Sequence, residues 1–520
     1  MNNHNIILLT DSYKVSHHVQ YPPNTTKIYS YFESRGGRHQ EICFFGLQYF
    51  IKKYLLGTVV TEEKINEAKI LYQKHFGSST NVFNEEGWRY VLEKHHGKLP
   101  IEIKAVPEGT VLPYKNACMT VTNTDPKCFW LVNFLETLLV QVWYPMTVAT
   151  NSREQKKTLL YFLEKTGDPN TIDFKLHDFG FRGVSSVESA GIGGAAHLTQ
   201  FLGTDTIASL VVAKDYYNSE CAGFSIPASE HSTMTSWGKD ETDSPGGELA
   251  AMRNMLTQYP TGLVACVSDS YNIWEAVNDK WGKSLKNLVM ERNGTLVIRP
   301  DSGPPALVDL ELLNKLGEVF GYTVNSKGYK ELPPQVRIIQ GDGIDYISLG
   351  MICQVLTDNK WSINNIAFGS GGGLLQKLDR DTQKCAFKCS YACVDGKEID
   401  VSKTPLHSPG KKSKAGKMTV NKRDNTIVTL CGNMRDETDD MLETVFLNGS
   451  IIKEYSWEQI KENSKIKLEN LDRDNINVNI AEIKMKYINS LNYVRDVDIM
   501  RKADNNYVEP YKLELPKSSS

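Results

Sequence analysis

The chain has 520 residues, 40% hydrophobic and 23% charged, with a formal net charge of −3. That length calls for two or three cores, or one large α/β unit with a companion, and the near-neutral charge excludes a polyanion-wrapping surface, so no nucleic-acid partner is expected. Ten cysteines without dense pairing fit reduced thiols and a cytoplasmic location, and neither a signal peptide nor a membrane span of ~20 apolar residues is expected.

Residues 1–60 hold a β-like piece, Lys27-Ile28-Tyr29-Ser30-Tyr31-Phe32, and a helix from Phe45 to Leu55. TEEKINEAKILYQKHF (61–76) predicts a helix with Thr61 as N-cap, acids in the first turn, and Ile65, Ala68 and Leu71 on one face. Residues 99–122 are β-rich, and Trp130 to Trp143 predicts one apolar helix. From about 175, short apolar runs end in Gly, Asp or Ser and pass into helical patterns. Leu263 to Val267 leads to SDS, Thr295 to Ile298 to RPDSG, Val336 to Ile339 to QGDG, and Ile366 to Phe368 to GSGGG and then LLQKLDR. Four consecutive βα units build a parallel sheet, closed or open, with polar residues at the C-terminal strand ends where such folds keep their chemistry. After 384, Cys385, Cys389 and Cys393 read as positions in a strand rather than a metal site, since zinc ligands favour other spacings. The basic loop GKKSKAGK (410–417) reads as solvated and the final KSSS as frayed.

The glycine cluster of FGSGGGLLQKLDRD (368–381) lets backbone N–H groups approach an anion, with Arg380 as a full charge nearby. It is neither a P-loop nor a dinucleotide fingerprint. Asp269, Asp301 and Asp342 fall at successive strand ends with the fork donor Arg299. Each Asp alone fits a helix cap, but together they fit a sugar-phosphate site with Mg²⁺. In LHDFGFRG, Phe179 and Phe181 offer flat faces beside Arg182, and in PASEHST, His231 sits among Ser, Thr and Glu as an acid, base or nucleophile.

TDSYKVSHHVQYPP, YFESR, LHDFGFRG, GTDT, PASEHST, SDSYNIW, IRPDSG, QGDG and NIAFGSGGGLLQK occur in that order. From about residue 6 to 460 the chain resembles the nicotinamide phosphoribosyltransferase family, type II phosphoribosyltransferases. The resemblance implies an irregular (β/α) barrel of parallel strands at 151–385, with a second α+β domain formed by 1–150 and 386–510. It implies transfer of a phosphoribosyl group from phosphoribosyl pyrophosphate to nicotinamide, a step of NAD salvage, with Mg²⁺, in a homodimer with shared active sites. Phe179 would stack on the pyridine ring, with Tyr13 and the neighbouring Asp11 from the partner subunit. Asp205 would accept from the carboxamide and Arg299 would orient base and ribose. Asp269 and Asp301 would lie by the reacting centre and the metal, and Gly341 and Asp342 would hold the ribose. Arg182, Gly371, Gly372 and Arg380 would hold phosphates, and His231 would be phosphorylated by ATP in a coupled hydrolysis. The chain departs from animal members in having Phe174 and Phe181 for tyrosine and Ala265 for a serine of the base tunnel. Asp205 argues against a nicotinate-specific member, because it would repel a carboxylate substrate. The intact acids, Arg299, His231 and the Gly cluster argue against a binding protein without turnover.

Overall fold

The computed structural model describes residues 4–77, 82–242, 244–404, 412–424 and 426–466. The expected extension of the α+β domain beyond 466, the KSSS terminus and the first two residues of the 410–417 loop lie outside the described residues. Among the described residues, no helix is long and apolar enough to cross a membrane, and all ten cysteines are free.

N- and C-terminal segments interleave in one seven-stranded sheet. Its order is Lys397–Asp400, Cys385–Val394, Thr25–Ser34, Ala117–Asn123, Ile101–Ala105, Glu443–Leu447, Ser450–Ile451. Thr25–Ser34 pairs antiparallel with strands on both sides, so no edge remains in the middle of the sheet. Cys385 is buried on its strand, while Cys389 and Cys393 are partly exposed. The helix Glu62–Phe76 forms as its pattern requires, with the Thr61 hydroxyl accepting from the Lys64 N–H. Its buried face is Ile65, Ala68 and Tyr72; Leu71, expected on that face, is 48% exposed, because Tyr72 takes the inward position and its hydroxyl donates to the Ile7 carbonyl at 2.6 Å. The apolar run 130–143 is not one helix. It breaks into Leu131–Phe134, Glu136–Leu139 and a 3₁₀ turn before the long helix Trp143–Thr166. At the first break the Phe134 carbonyl is taken by the Thr10 hydroxyl, an outside partner for a helix-end acceptor.

The second sheet is parallel, in the order Gly203–Thr204, Leu176–Asp178, Ile366–Ser370, Val336–Gln340, Asn293–Arg299, Thr261–Val267. Residues 224–229 bridge its two edges. Phe224 N–H donates to Leu202 and its carbonyl accepts from Thr204, while Pro227 accepts from Ala265 and Ser229 N–H donates to the Ala265 carbonyl. The ring therefore closes into an irregular barrel, which removes both exposed edges. The floor at the N-terminal end is held by Lys175, whose buried Nζ donates to the carbonyls of Ile363, Asn364 and Ile366. Helices Pro305–Phe320 and Tyr346–Asp358 follow their strands as expected. After GSGGG, only the single turn Gly372–Leu375 forms; the Lys377 N–H closes it by bonding back to the Gly372 carbonyl, five residues earlier.

Where the start of the helix Leu47–Phe50 meets the end of the helix Ile207–Tyr217, Glu108 is 2% exposed and accepts from the N–H groups of Gly46 and Gln48 and from the Tyr217 hydroxyl. Burial, opposed by those bonds, pushes its carboxyl up from the usual 4.5 to about 7. The folded chain therefore keeps a proton that the unfolded chain has released, and stability falls as pH rises from about 4.5 towards 7. Glu108→Gln should lack this decline. Its Tm relative to the unmodified protein should rise between pH 5 and pH 8; a pH-independent difference would contradict it.

Candidate active site

Two cavities meet inside the barrel. The outer one, about 720 Å³, lies at the C-terminal strand ends, and the inner one, about 530 Å³, runs between strands lined by Ala265, Val297, Ile339 and Ala367. Phe179, Asp205, Ala228 and Arg299 line both, so these four residues form the junction.

Phe179 follows the short strand Leu176–Asp178, and its N–H donates to the Ser370 carbonyl. Its ring lies against the neighbouring strand ends. A Cβ at Gly369 would sit 1.9 Å from Phe179 Cε2, and one at Gly341 would sit 3.1 Å away. Two glycines expected in anion contacts or tight turns thus first make room for an aromatic face. Gly372 meets nothing within 4 Å, and Gly371, Gly372 and Arg182 line the outer cavity. There the backbone is open to a ligand.

Asp205 is exposed to the junction; its N–H donates to the Asp178 carbonyl and its carboxylate accepts from the Ser225 hydroxyl at 2.5 Å. Asp178 lies behind it, fully buried, with Oδ1 accepting from the Gly180 N–H at 2.7 Å. Burial, helped by the charge of Asp205 and opposed by bonds from Gly180 and Thr206, pushes the Asp178 carboxyl up to about 6. Asp178 was missed in the sequence, although it directly precedes Phe179.

The acids and His231 meet at the rim. Asp269 Oδ2 accepts from the Asp301 N–H at 3.0 Å and the Ser302 hydroxyl at 2.6 Å. Arg299 Nη2 lies 3.3 Å from Asp301 Oδ2. His231 Nε2 stands 3.6 Å from Asp269 Oδ1 and 3.5 Å from Asp301 Oδ2, and its Nδ1 is 3.2 Å from the Ser270 hydroxyl. Asp269 Oδ1 and Arg299 Nε are buried without a hydrogen-bond partner, so both sides of this cluster have unused capacity.

Those two carboxylates suit a hard cation that keeps waters and takes its other ligands from substrate phosphates, as Mg²⁺ does. A group of three potential ligands is found among the described residues only at His95, Asp125 and Cys128. There, Asp125 Oδ2 already bonds His95 Nε2 at 2.7 Å and the Tyr90 hydroxyl at 3.0 Å.

Asp342 lines the outer cavity as expected. Five expected residues do not line it within one chain: His231 and Asp269 stand beside it against Asp301, and Arg380, Tyr13 and Asp11 lie elsewhere. Arg380 turns away, its Nη1 donating to the Cys385 carbonyl at 2.9 Å. Lys377, not singled out in the sequence, lines the cavity instead, because the helix stops after one turn and the chain folds back. Tyr13 is 61% exposed, and Asp11 accepts from the Thr137 hydroxyl at 2.8 Å. Glu230, also missed, lines the cavity and caps the short helix His231–Thr235. Of the positions that differ from animal members, Phe174 and Ala265 line the inner cavity and Phe181 the outer one.

The model of the nicotinate phosphoribosyltransferase (NAPRTase) family matches residues 174–450, and that of the nicotinamide phosphoribosyltransferase N-terminal domain matches residues 5–103. A nicotinamide phosphoribosyltransferase of Xanthomonas campestris is 48% identical over 468 residues, covering 88% of this chain and 97% of that protein. The fold is similar to that of a nicotinate-nucleotide pyrophosphorylase from Pyrococcus furiosus, with TM-score 0.54 and 14% identity over 89% of this chain and 96% of that one. It is also similar to human nicotinic acid phosphoribosyltransferase, with TM-score 0.53 and 15% identity over 88% and 93% of the two chains. With these matches spanning both the barrel and the N-terminal segment, the chain belongs to the nicotinamide phosphoribosyltransferase family of pentosyltransferases.

Proposed function

We propose that this enzyme joins nicotinamide to phosphoribosyl pyrophosphate, releasing pyrophosphate and forming nicotinamide mononucleotide for NAD salvage in the cytoplasm. The observation that carries the choice of base is Asp205 beside Phe179 at the cavity junction. A neutral carboxamide can donate to that carboxylate, whereas a carboxylate in its place is repelled.

The pyridine ring stacks on Phe179 with its nitrogen towards the outer cavity. There Gly341 and Asp342 take the ribose, and Arg182, Gly371 and Gly372 take the 5′-phosphate. As the C1–oxygen bond to pyrophosphate breaks, the ring nitrogen's lone pair forms the new C1–nitrogen bond. No side-chain nucleophile is needed, and most of the work is positioning and electrostatics. Arg299 orients base and ribose, and the carboxylate of Asp301 faces the positive charge that grows on the sugar. Asp269 and Asp301 would hold Mg²⁺, which when bound offsets charge on the leaving pyrophosphate. ATP would pass its γ-phosphoryl group to a ring nitrogen of His231, releasing ADP, and water would later cleave that bond. The histidine's place between two carboxylates and Ser270, with a partly exposed ring, supports this role.

Two chains would complete each site. Arg380 lies outside its own chain's cavity, in a group of cations with Arg35 and Lys403. Burial lowers the pKa of Lys388 in that group, Glu136 opposes, and Arg35, Lys403 and Arg380 lower it further. Such a concentration of positive charge suits the phosphates of a partner's substrate, and the exposed Tyr13 suits the free face of the partner's base.

Nicotinamide should be preferred over nicotinate by at least about a hundredfold in kcat/KM, a difference of only ~2.7 kcal/mol, and Asp205→Asn should narrow the gap. Equal kcat/KM for the two bases would refute the reading. His231→Ala should abolish ATP hydrolysis and the acid-labile phosphoenzyme while some ATP-independent product formation survives. A phosphoenzyme persisting in that variant would assign the acceptor elsewhere. Tyr13→Ala and Arg299→Ala should each be poorly active alone. Co-refolding the two should recover towards about a quarter of normal activity, since about half the dimers are then heterodimers, in each of which one site carries both lesions and the other none. Verified heterodimers without recovery would eliminate the shared site.

A further inference from the structure

Behind the outer cavity, a buried pair of side chains connects the end of one strand, just before a loop that lines the cavity, to a helix. Gln340 ends the strand Val336–Gln340 and is 1% exposed. Its Oε1 accepts from the Asp342 N–H at 3.0 Å, and its Nε2 donates to Asp309 Oδ1 at 3.1 Å. Asp309 is 0% exposed and lies near the start of the helix Pro305–Phe320, which follows the loop bearing Arg299 and Asp301. Its second oxygen, Oδ2, is buried with no hydrogen-bond partner.

A carboxamide fits its site in two orientations of nearly equal shape, and its neighbours select one. Turned over, Gln340 would set an NH₂ group against the Asp342 N–H, donor against donor. With Asp309 present, the NH₂ group has an acceptor on its other side, so one orientation satisfies both ends. Without an acceptor at 309, the amide is left with an unpaired buried donor, a costly arrangement, and its hold on Asp342 loosens. The need at 309 is an acceptor, not a charge: burial, opposed by the bond from Gln340, holds the Asp309 carboxyl well above the usual carboxylate range.

We propose that Asp309 is a positioning residue for the sugar-binding loop: acting through Gln340, it fixes the backbone at Asp342 and so sets affinity for phosphoribosyl pyrophosphate without touching it. This rests on reading the outer cavity as the sugar-phosphate site. Asp342 itself is exposed to that cavity, and among the described contacts its backbone is held from behind by this amide.

The test is steady-state kinetics of the full-length enzyme with phosphoribosyl pyrophosphate and nicotinamide varied in turn. Asp309→Leu, which has no acceptor, should raise KM for phosphoribosyl pyrophosphate about tenfold or more, with KM for nicotinamide and kcat within about twofold. Asp309→Asn, which keeps a carbonyl in the same place, should stay close to the unmodified enzyme. Gln340→Met should reproduce the Leu phenotype, and combining it with Asp309→Leu should add little, because the two act through one bond network. Should Asp309→Leu fail to fold, Gln340→Met against Asp309→Asn gives the same contrast. An unchanged KM for phosphoribosyl pyrophosphate in Gln340→Met, or equal loss in the Asn and Leu variants, would overturn the proposal. So would a parallel rise in both KM values with a fall in kcat. If the unmodified enzyme itself shows no saturation by phosphoribosyl pyrophosphate, the functional reading fails instead, and the two failures are told apart.

Discussion

The aromatic ring of Phe179 rests on the backbone of Gly369, with no space for even a methyl group between them. The rest of the site depends on that contact. It places a flat apolar face where the two cavities join, with Gly341 beside it on the next strand end. Any side chain at 369 would push the ring into the junction and close the route between the cavities. Buried Asp178, through the Gly180 N–H, fixes the turn that carries the ring, so the platform is held from the strand as well as from below.

Around this platform the site is divided by polarity. The inner cavity is mainly apolar, while the outer cavity carries backbone glycines, Arg182, Lys377 and carboxylates. A ligand with a flat ring at one end and a phosphorylated sugar at the other matches that division. Asp269, Asp301, Arg299 and His231 form one connected group at the rim. A change of charge at His231 would therefore be felt by the carboxylates of Asp269 and Asp301. For the proposed phosphorylation of His231, this is a direct physical route to substrate binding.

The repeated βα units were legible because each apolar run stops at a polar loop, and buried parallel strands have that texture. The closure of the barrel was not. Residues 224–229 pair through only isolated bridges, and a segment containing Pro227 has no strand-like pattern. Strand-end residues such as Arg299, Asp301 and Asp342 were found because chemistry collects there in such folds. Gly369 and Gly341 were seen as glycines, but their role needed the position of Phe179, which comes from another strand. Lys377 rather than Arg380 lines the cavity because the helix ends after one turn, which helical spacing gave no reason to expect. Asp178, Asp309 and Gln340 escaped notice for a common reason. Each is a buried polar residue inside an otherwise apolar element, and only a partner distant in sequence shows what it does.

The most direct measurement is a crystal structure of the enzyme with nicotinamide mononucleotide bound. The pyridine ring should stack on Phe179, with the carboxamide nitrogen in hydrogen-bond reach of Asp205 and the phosphate against Gly371, Gly372 and Arg182. A ring lying away from Phe179, or a phosphate seated in the inner cavity, would contradict the assignment of Phe179 as the platform for the base.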